Sequence, residues 1–133
     1  MYWLMKSEPW EWSWDDQMKA GTAPWTGVRN FQARNFMKEM KTGDEVLFYH
    51  SGKGREILGI VKVAREHYPD PDDETGRFVR VDVGTPRGFV HPVPLAEIKA
   101  HPGLQTLPLI RQPRLSVMPI TPQQWKILME MGR

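Results

Sequence analysis

The chain has 133 residues, no cysteine, 26% charged residues and a formal net charge of +2. That length suits one domain over residues 1–133 with a core of its own. The lack of cysteine excludes disulfides, thiolate metal sites and cysteine catalysis, and fits a reducing intracellular compartment, the cytoplasm in a bacterium. So small a charge cannot make an electrostatic DNA clamp, and any nucleic-acid role must rest on local patches.

Residues 2–6 read as a first strand. The short apolar start stops at Lys6 and lacks a basic leader, so no signal peptide is expected, and no run is long enough to cross a membrane. Ser13 with Asp16 three residues on is a helix-start signal, and Gly21 ends that helix. From Asn30, a natural N-cap, Ala33, Phe36, Met37 and Met40 recur at the spacing of one buried helix face. Residues 45–50 and 56–64 read as strands around a glycine-containing hairpin loop. Gly59 inside the second implies a bulge or a close backbone approach. Residues 68–74 form an acidic, proline-held loop. Residues 77–83 alternate cleanly, and 88–93 make a weaker edge strand with Pro92 near its end. A short helix over 94–101 and a last strand over 114–118 follow. Thr121, Pro122 and Gln124 then open a final helix. There is no βαβ rhythm, so the expected fold is α+β, a small, mostly antiparallel barrel packed against short helices.

The residues nominate no chemistry. The four histidines are scattered, which gives no metal-ligand spacing. The acidic loop starting at Asp70 puts Thr75 and Val81 where a calcium loop needs glycine and glutamate. No nucleophile elbow and no phosphate-binding glycine loop is present. No metal, cofactor or catalytic residue is therefore expected. Nucleic acid remains. Bases are held by stacking on aromatic rings and read by amides, hydroxyls and backbone groups. Trp25, Arg29 and Asn30 offer a stacking face, a cation and an amide within six residues. On composition alone, Trp25 as core and Asn30 as a helix cap is the favoured reading.

Several blocks, in order along almost the whole chain, resemble the EVE domain family of the PUA-like superfamily. They include Tyr2 to Pro9, Trp25 to Phe36, Gly43-Asp44, Phe48 to Ser51, Tyr68 to Pro71, Pro92 to Leu95 and Arg114 to Val117. The resemblance implies a PUA-like pseudo-barrel flanked by helices. It also implies a non-enzymatic reader of DNA or RNA that accepts a modified base, with modified cytosine the leading class. Related YTH and SRA domains take an extruded base into a pocket, and the pocket must recover the cost of unstacking.

Position by position, the resemblance puts Ser7, Trp25, Asn30, Tyr49, His50, Ser51, Arg114 and Ser116 around the base. Trp25 is one aromatic wall and Tyr49 a second. Lys6, Arg29 and Lys53 become candidates for backbone phosphates. Trp12 takes the place of a packed aromatic, and the helix and strand patterns make Trp14 and Trp3 core. Two departures stand out. The loop after Pro71 is short, with Phe78 where many members carry tryptophan. Trp10 replaces a usual polar residue, either as an extra stacking aromatic or as a subunit contact. Replacing Trp25 by alanine is expected to weaken binding to a modified oligonucleotide without unfolding the domain. A monomer is favoured. The rival readings are a PUA-like module for structured or modified RNA, an enzyme acting on nucleic acid or a nucleotide, and a protein-interaction module using residues 10–14.

Overall fold

The structure, a computed structural model, describes every residue except Lys53. Six strands form one sheet in the order β2-β5-β4-β3-β1-β6. β1 (Tyr2–Ser7) runs parallel to β3 (Glu45–His50) and antiparallel to β6 (Val117–Ile120). β4 (Glu56–Pro69) pairs antiparallel with β3 and with β5 (Val79–Pro94). The three-residue β2 (Ala23–Trp25) adds antiparallel to β5 at the far edge. The sheet is thus mixed and open, with antiparallel pairing dominant. The lone parallel pair is possible because the long stretch between β1 and β3 provides a crossover.

The first helix, α1 (Trp14–Ala20), carries a full capping box between Ser13 and Asp16. α2 (Phe31–Glu39) is capped by Asn30, whose side chain accepts a hydrogen bond from Ala33 N. Ala33 and Met37 of α2 and its C-cap Met40 are buried, as the spacing predicts, whereas Phe36 is only half-buried against the core. After β5 come α3 (Leu95–Ala100), a short 3₁₀ turn and α4 (Pro108–Arg111). The final α5 (Pro122–Met131) begins with a second capping box, Thr121 with Gln124, and buries Trp125 and Leu128. The core lies between the sheet and these helices. It contains Trp3, Met5, Leu47, Phe48, Ile57 and Val117, all essentially inaccessible. Trp3 remains satisfied there by donating its indole N–H to Asp44 Oδ2 at 3.0 Å.

Three sequence expectations shift. The strands expected at 77–83 and 88–93 are one continuous β5, because residues 84–88 keep pairing with β4 across a series of register shifts. The kink is local, with Thr85 at φ 45°. Pro92 fits because β2 pairs only with Val81–Val83, which leaves β5 with β4 alone at that point. β4 continues to Pro69 beyond the expected 64, and the last strand begins at Val117 rather than 114. Gly59 marks both a register shift and a close approach. A Cβ there would stand 2.7 Å from the indole of Trp14. Trp14 itself meets Phe48 edge to face, at a centroid distance of 5.1 Å.

Candidate nucleic-acid interface

The open sheet curls until segments at its two edges face the ends of its central strands. A cavity of about 650 Å³ opens there, within the range of roughly 300–1,000 Å³ usual for ligand sites. A pyrimidine base would fill only part of that volume. One wall comes from β2 and the residues after it, Trp25 to Arg29. The opposite wall is Pro113, Arg114 and Ser116, just before β6. Between them lie the end of β1 (Lys6, Ser7), the following turn (Glu8, Glu11, Trp12) and Ser51-Gly52 beyond β3.

Trp25 is only 5% exposed. It is anchored by β2–β5 pairing opposite Val81 and by an edge-to-face contact with Phe48 at 5.3 Å. It therefore lines the cavity while belonging to the core. Removing a buried indole leaves a hole, so Trp25→Ala is expected to cost stability as well as binding. Trp12 is a second aromatic lining residue, half-buried and fixed by its Nε1–H donating to Gln17 Oε1 at 2.9 Å. Nothing in its spacing marked it for the cavity. Only the turn after β1 brings it there, closed by Trp12 N donating to Glu8 O at 3.0 Å.

The polar groups are held rigidly. Ser7 is buried, and its hydroxyl donates to Trp12 O, which leaves its oxygen as an acceptor. Ser51 N donates to Ser7 O at 2.9 Å, tying the end of β3 to the end of β1. Lys6 N donates to Ser116 O at 2.9 Å, tying β1 to the segment before β6. Three cations reach the lining. Lys6 Nζ donates to Pro113 O at 2.8 Å, and burial lowers its pKa. Arg29 Nη1 donates to Val28 O and to Asp70 Oδ2, the latter at 2.8 Å. Arg114 is exposed.

Asp70 comes from the acidic loop and is 3% exposed. It pairs with both Arg29 and Arg80, whose Nε lies 3.0 Å away. Burial raises its pKa, but hydrogen bonds from Asp72 N and Arg29, with the charge of Arg80, outweigh that and hold it below the usual carboxylate range. The loop is thus a clamp for Arg29. Phe78 supports the same guanidinium from below, with the Arg29 carbon 5.4 Å from its ring centroid, and stacks on Phe31 at 5.1 Å.

Of the eight residues expected around the base, five line this cavity: Ser7, Trp25, Ser51, Arg114 and Ser116. Three do not. Asn30 spends its side-chain oxygen on the α2 cap and borders a shallower neighbouring groove of about 330 Å³, which shares Pro113 and Arg114 with the main cavity. Tyr49 is 2% exposed within the core, where burial pushes its phenol up to about 12. His50 accepts a hydrogen bond from Trp14 N through Nε2 at 2.9 Å, and burial lowers its pKa. Val46 to Tyr49 of β3 are all buried, and only Ser51 and Gly52 just beyond the strand reach the cavity. Of the expected phosphate contacts, Lys6 and Arg29 line the cavity; Lys53 lies outside the described residues. Among the described residues no cluster of histidines and carboxylates could hold a metal, and no helix is long and apolar enough to cross a membrane.

An open, curled sheet with a cavity lined by two indoles, by Lys6, Arg29 and Arg114, and by Glu8 and Glu11 defines a ligand-binding module. Its family model, described as the EVE domain, matches residues 1–131. The chain belongs to the EVE domain family. It is 35% identical to mouse thymocyte nuclear protein 1 over 98% of this chain and 73% of the relative. It superimposes on the solution structure of Rpa0253 from Rhodopseudomonas palustris with a TM-score of 0.92 at 47% identity, covering 98% and 92% of the two chains. It also matches the crystal structure of human THYN1 protein in complex with DNA containing 5-methylcytosine, with a TM-score of 0.91 at 32% identity over 99% and 97%.

Proposed function

We propose that this chain is a single-domain reader that takes a modified cytosine of a nucleic-acid strand into the 650 Å³ cavity and performs no chemistry on it. The observation that carries the reading is the lining itself. Two indoles and three serines share one cavity with three cations and with Glu8 and Glu11, in a fold shared with a human protein crystallised on 5-methylcytosine DNA. Trp25 and Trp12 supply apolar contact for the ring and its methyl group. Ser7, Ser51 and Ser116 supply hydroxyl and backbone groups for the base edge. Lys6, Arg29 and Arg114 meet the flanking phosphates. Stacking recovers about 1–3 kcal/mol per base, of the same order as the unstacking cost of extrusion. The reader works inside the cell, as the nuclear relative's name implies for that relative.

The test is parallel titration of matched DNA and RNA oligonucleotides, each with cytosine or 5-methylcytosine at one position. The reading expects tighter binding to the methylated member of a pair. Equal affinity across every pair would overturn it. A preference for RNA irrespective of methylation would favour an RNA-binding module instead. Mass analysis of the recovered strands should return them unchanged, and any altered base or cleaved strand would identify an enzyme.

A further inference from the structure

Trp10 is 68% exposed, the only tryptophan so exposed among the described residues. Its position is constrained rather than incidental. It sits on the turn between Glu8 and Glu11, both of which line the cavity, and Glu11 N donates to Glu8 O at 2.9 Å to close that turn. On its other side, the benzo end of the indole rests against Gly52. A Cβ at Gly52 would stand 3.0 Å from Trp10 Cη2 and Cζ3. Gly52 lines the cavity too, and its φ of +77° suits glycine. The ring therefore bridges two rim segments of one cavity, packed along an edge and open over most of its surface. Burying so large an apolar ring would stabilise it, yet this chain leaves it in water.

We propose that Trp10 is a second subsite, on which the nucleobase next to the one in the cavity stacks. The inference rests on the reader function above. The occupant follows from continuity. A strand that places one base in the cavity must carry its neighbour across the rim, and the Glu8–Glu11 turn puts Trp10 there. Stacking suits the surroundings better than a phosphate contact would. Glu8 and Glu11 stand on the same exposed turn as Trp10, and their negative charge disfavours phosphate there, whereas a base presents an uncharged π-face. The subsite accepts any base, with larger rings favoured, and it gives this chain a grip on the flanking sequence that a cavity alone lacks.

The experiment uses short single-stranded DNA with one central 5-methylcytosine, whose two neighbours are either intact nucleotides or abasic sites. Wild type, Trp10→Ala and Trp10→Phe are titrated against both strands. Stacking of one base, about 1–3 kcal/mol, corresponds to roughly 5- to 150-fold in affinity. Wild type should lose that much when the neighbours are abasic. Trp10→Ala should bind the intact strand as weakly as wild type binds the abasic one, with no further loss on the abasic strand, and Trp10→Phe should fall between. Equal affinity of Trp10→Ala and wild type for the intact strand would overturn the subsite. So would an abasic penalty of the same size in both proteins. A dimer in sedimentation that Trp10→Ala splits, with DNA binding unchanged, would assign the ring to a subunit contact instead. The cavity reading is judged separately, from wild type on methylated and unmethylated strands, and equal binding there would overturn that reading itself.

Discussion

Trp25 has two duties, and they can be separated. At 5% exposure it packs on Phe48 and also lines the cavity. Trp25→Ala should cost about 3–5 kcal/mol of stability, the usual range for emptying a buried aromatic site, visible as a lower urea midpoint. Trp25→Phe keeps a ring and most of the packing. It should lose less stability while still weakening binding to a methylated strand. If Trp25→Ala leaves the urea midpoint unchanged, the packing described here is wrong. His50 gives a pH prediction. Its Nε2 accepts from Trp14 N only when unprotonated, and burial depresses its folded pKa. The unfolded chain therefore takes up the proton first. The stabilisation is fully present above about pH 6.5, the unfolded value, and is lost as pH falls below it towards the depressed folded value. Denaturant midpoints measured from pH 7.5 down to 5 should fall, and His50→Gln should flatten that fall. A wild-type midpoint that rises on acidification would contradict the assigned hydrogen bond.

Among the elements, α1 is the one on which the site leans most. Its first residue, Trp14, lies over Gly59, and the turn leading into it carries Trp12. Gly59→Ala would push a methyl group to within 2.7 Å of Trp14 and even nearer the Arg87 carbonyl. An overpacked site of this kind costs roughly 1–3 kcal/mol. We expect that loss in thermal or urea unfolding, with weaker ligand binding because the Trp12 turn moves with α1. A Gly59→Ala protein as stable as wild type would mean that α1 is not seated on β4.

Where local chemistry determined an element, the sequence was readable. The Ser13 and Thr121 capping boxes and the buried stripe on α2 all form as the residue types predict. The elements that resist are set by pairing. β2 is three residues long and exists because β5 lies beside it. β5 runs through glycines and prolines that read as breaks, because the ladder to β4 tolerates register shifts. The same division runs through the site. Ser7, Ser51 and Ser116 are carried to the cavity by strand ends. The local reading of Asn30 as a cap proved the geometrically dominant one. Trp12 was hidden because a turn, not a period, aims it at the cavity.

At the scale of the molecule, a net charge of +2 and three lining cations set how strongly binding should respond to salt. If all three neutralise phosphates, log affinity should fall with log salt at a slope of roughly −2 to −3. Arg29 already shares its charge with Asp70, so the shallower end is expected. A slope of about −6 or steeper would mean that an extended basic surface, rather than the cavity, dominates contact with the strand. The curled sheet explains why so modest a charge can suffice. Its edges bring the segments around Trp25 and Arg114 to one cavity, so in the proposed function affinity comes from enclosure of a base more than from attraction to a backbone.

That claim is tested most directly by nuclear Overhauser contacts from the 5-methyl protons of a bound, methylated oligonucleotide. The structure predicts contacts to the indole protons of Trp12 or Trp25 and to Ser7 or Ser51, all within the cavity. Methyl contacts confined to exposed side chains such as Phe31 and Lys38, with none to either cavity indole, would contradict it.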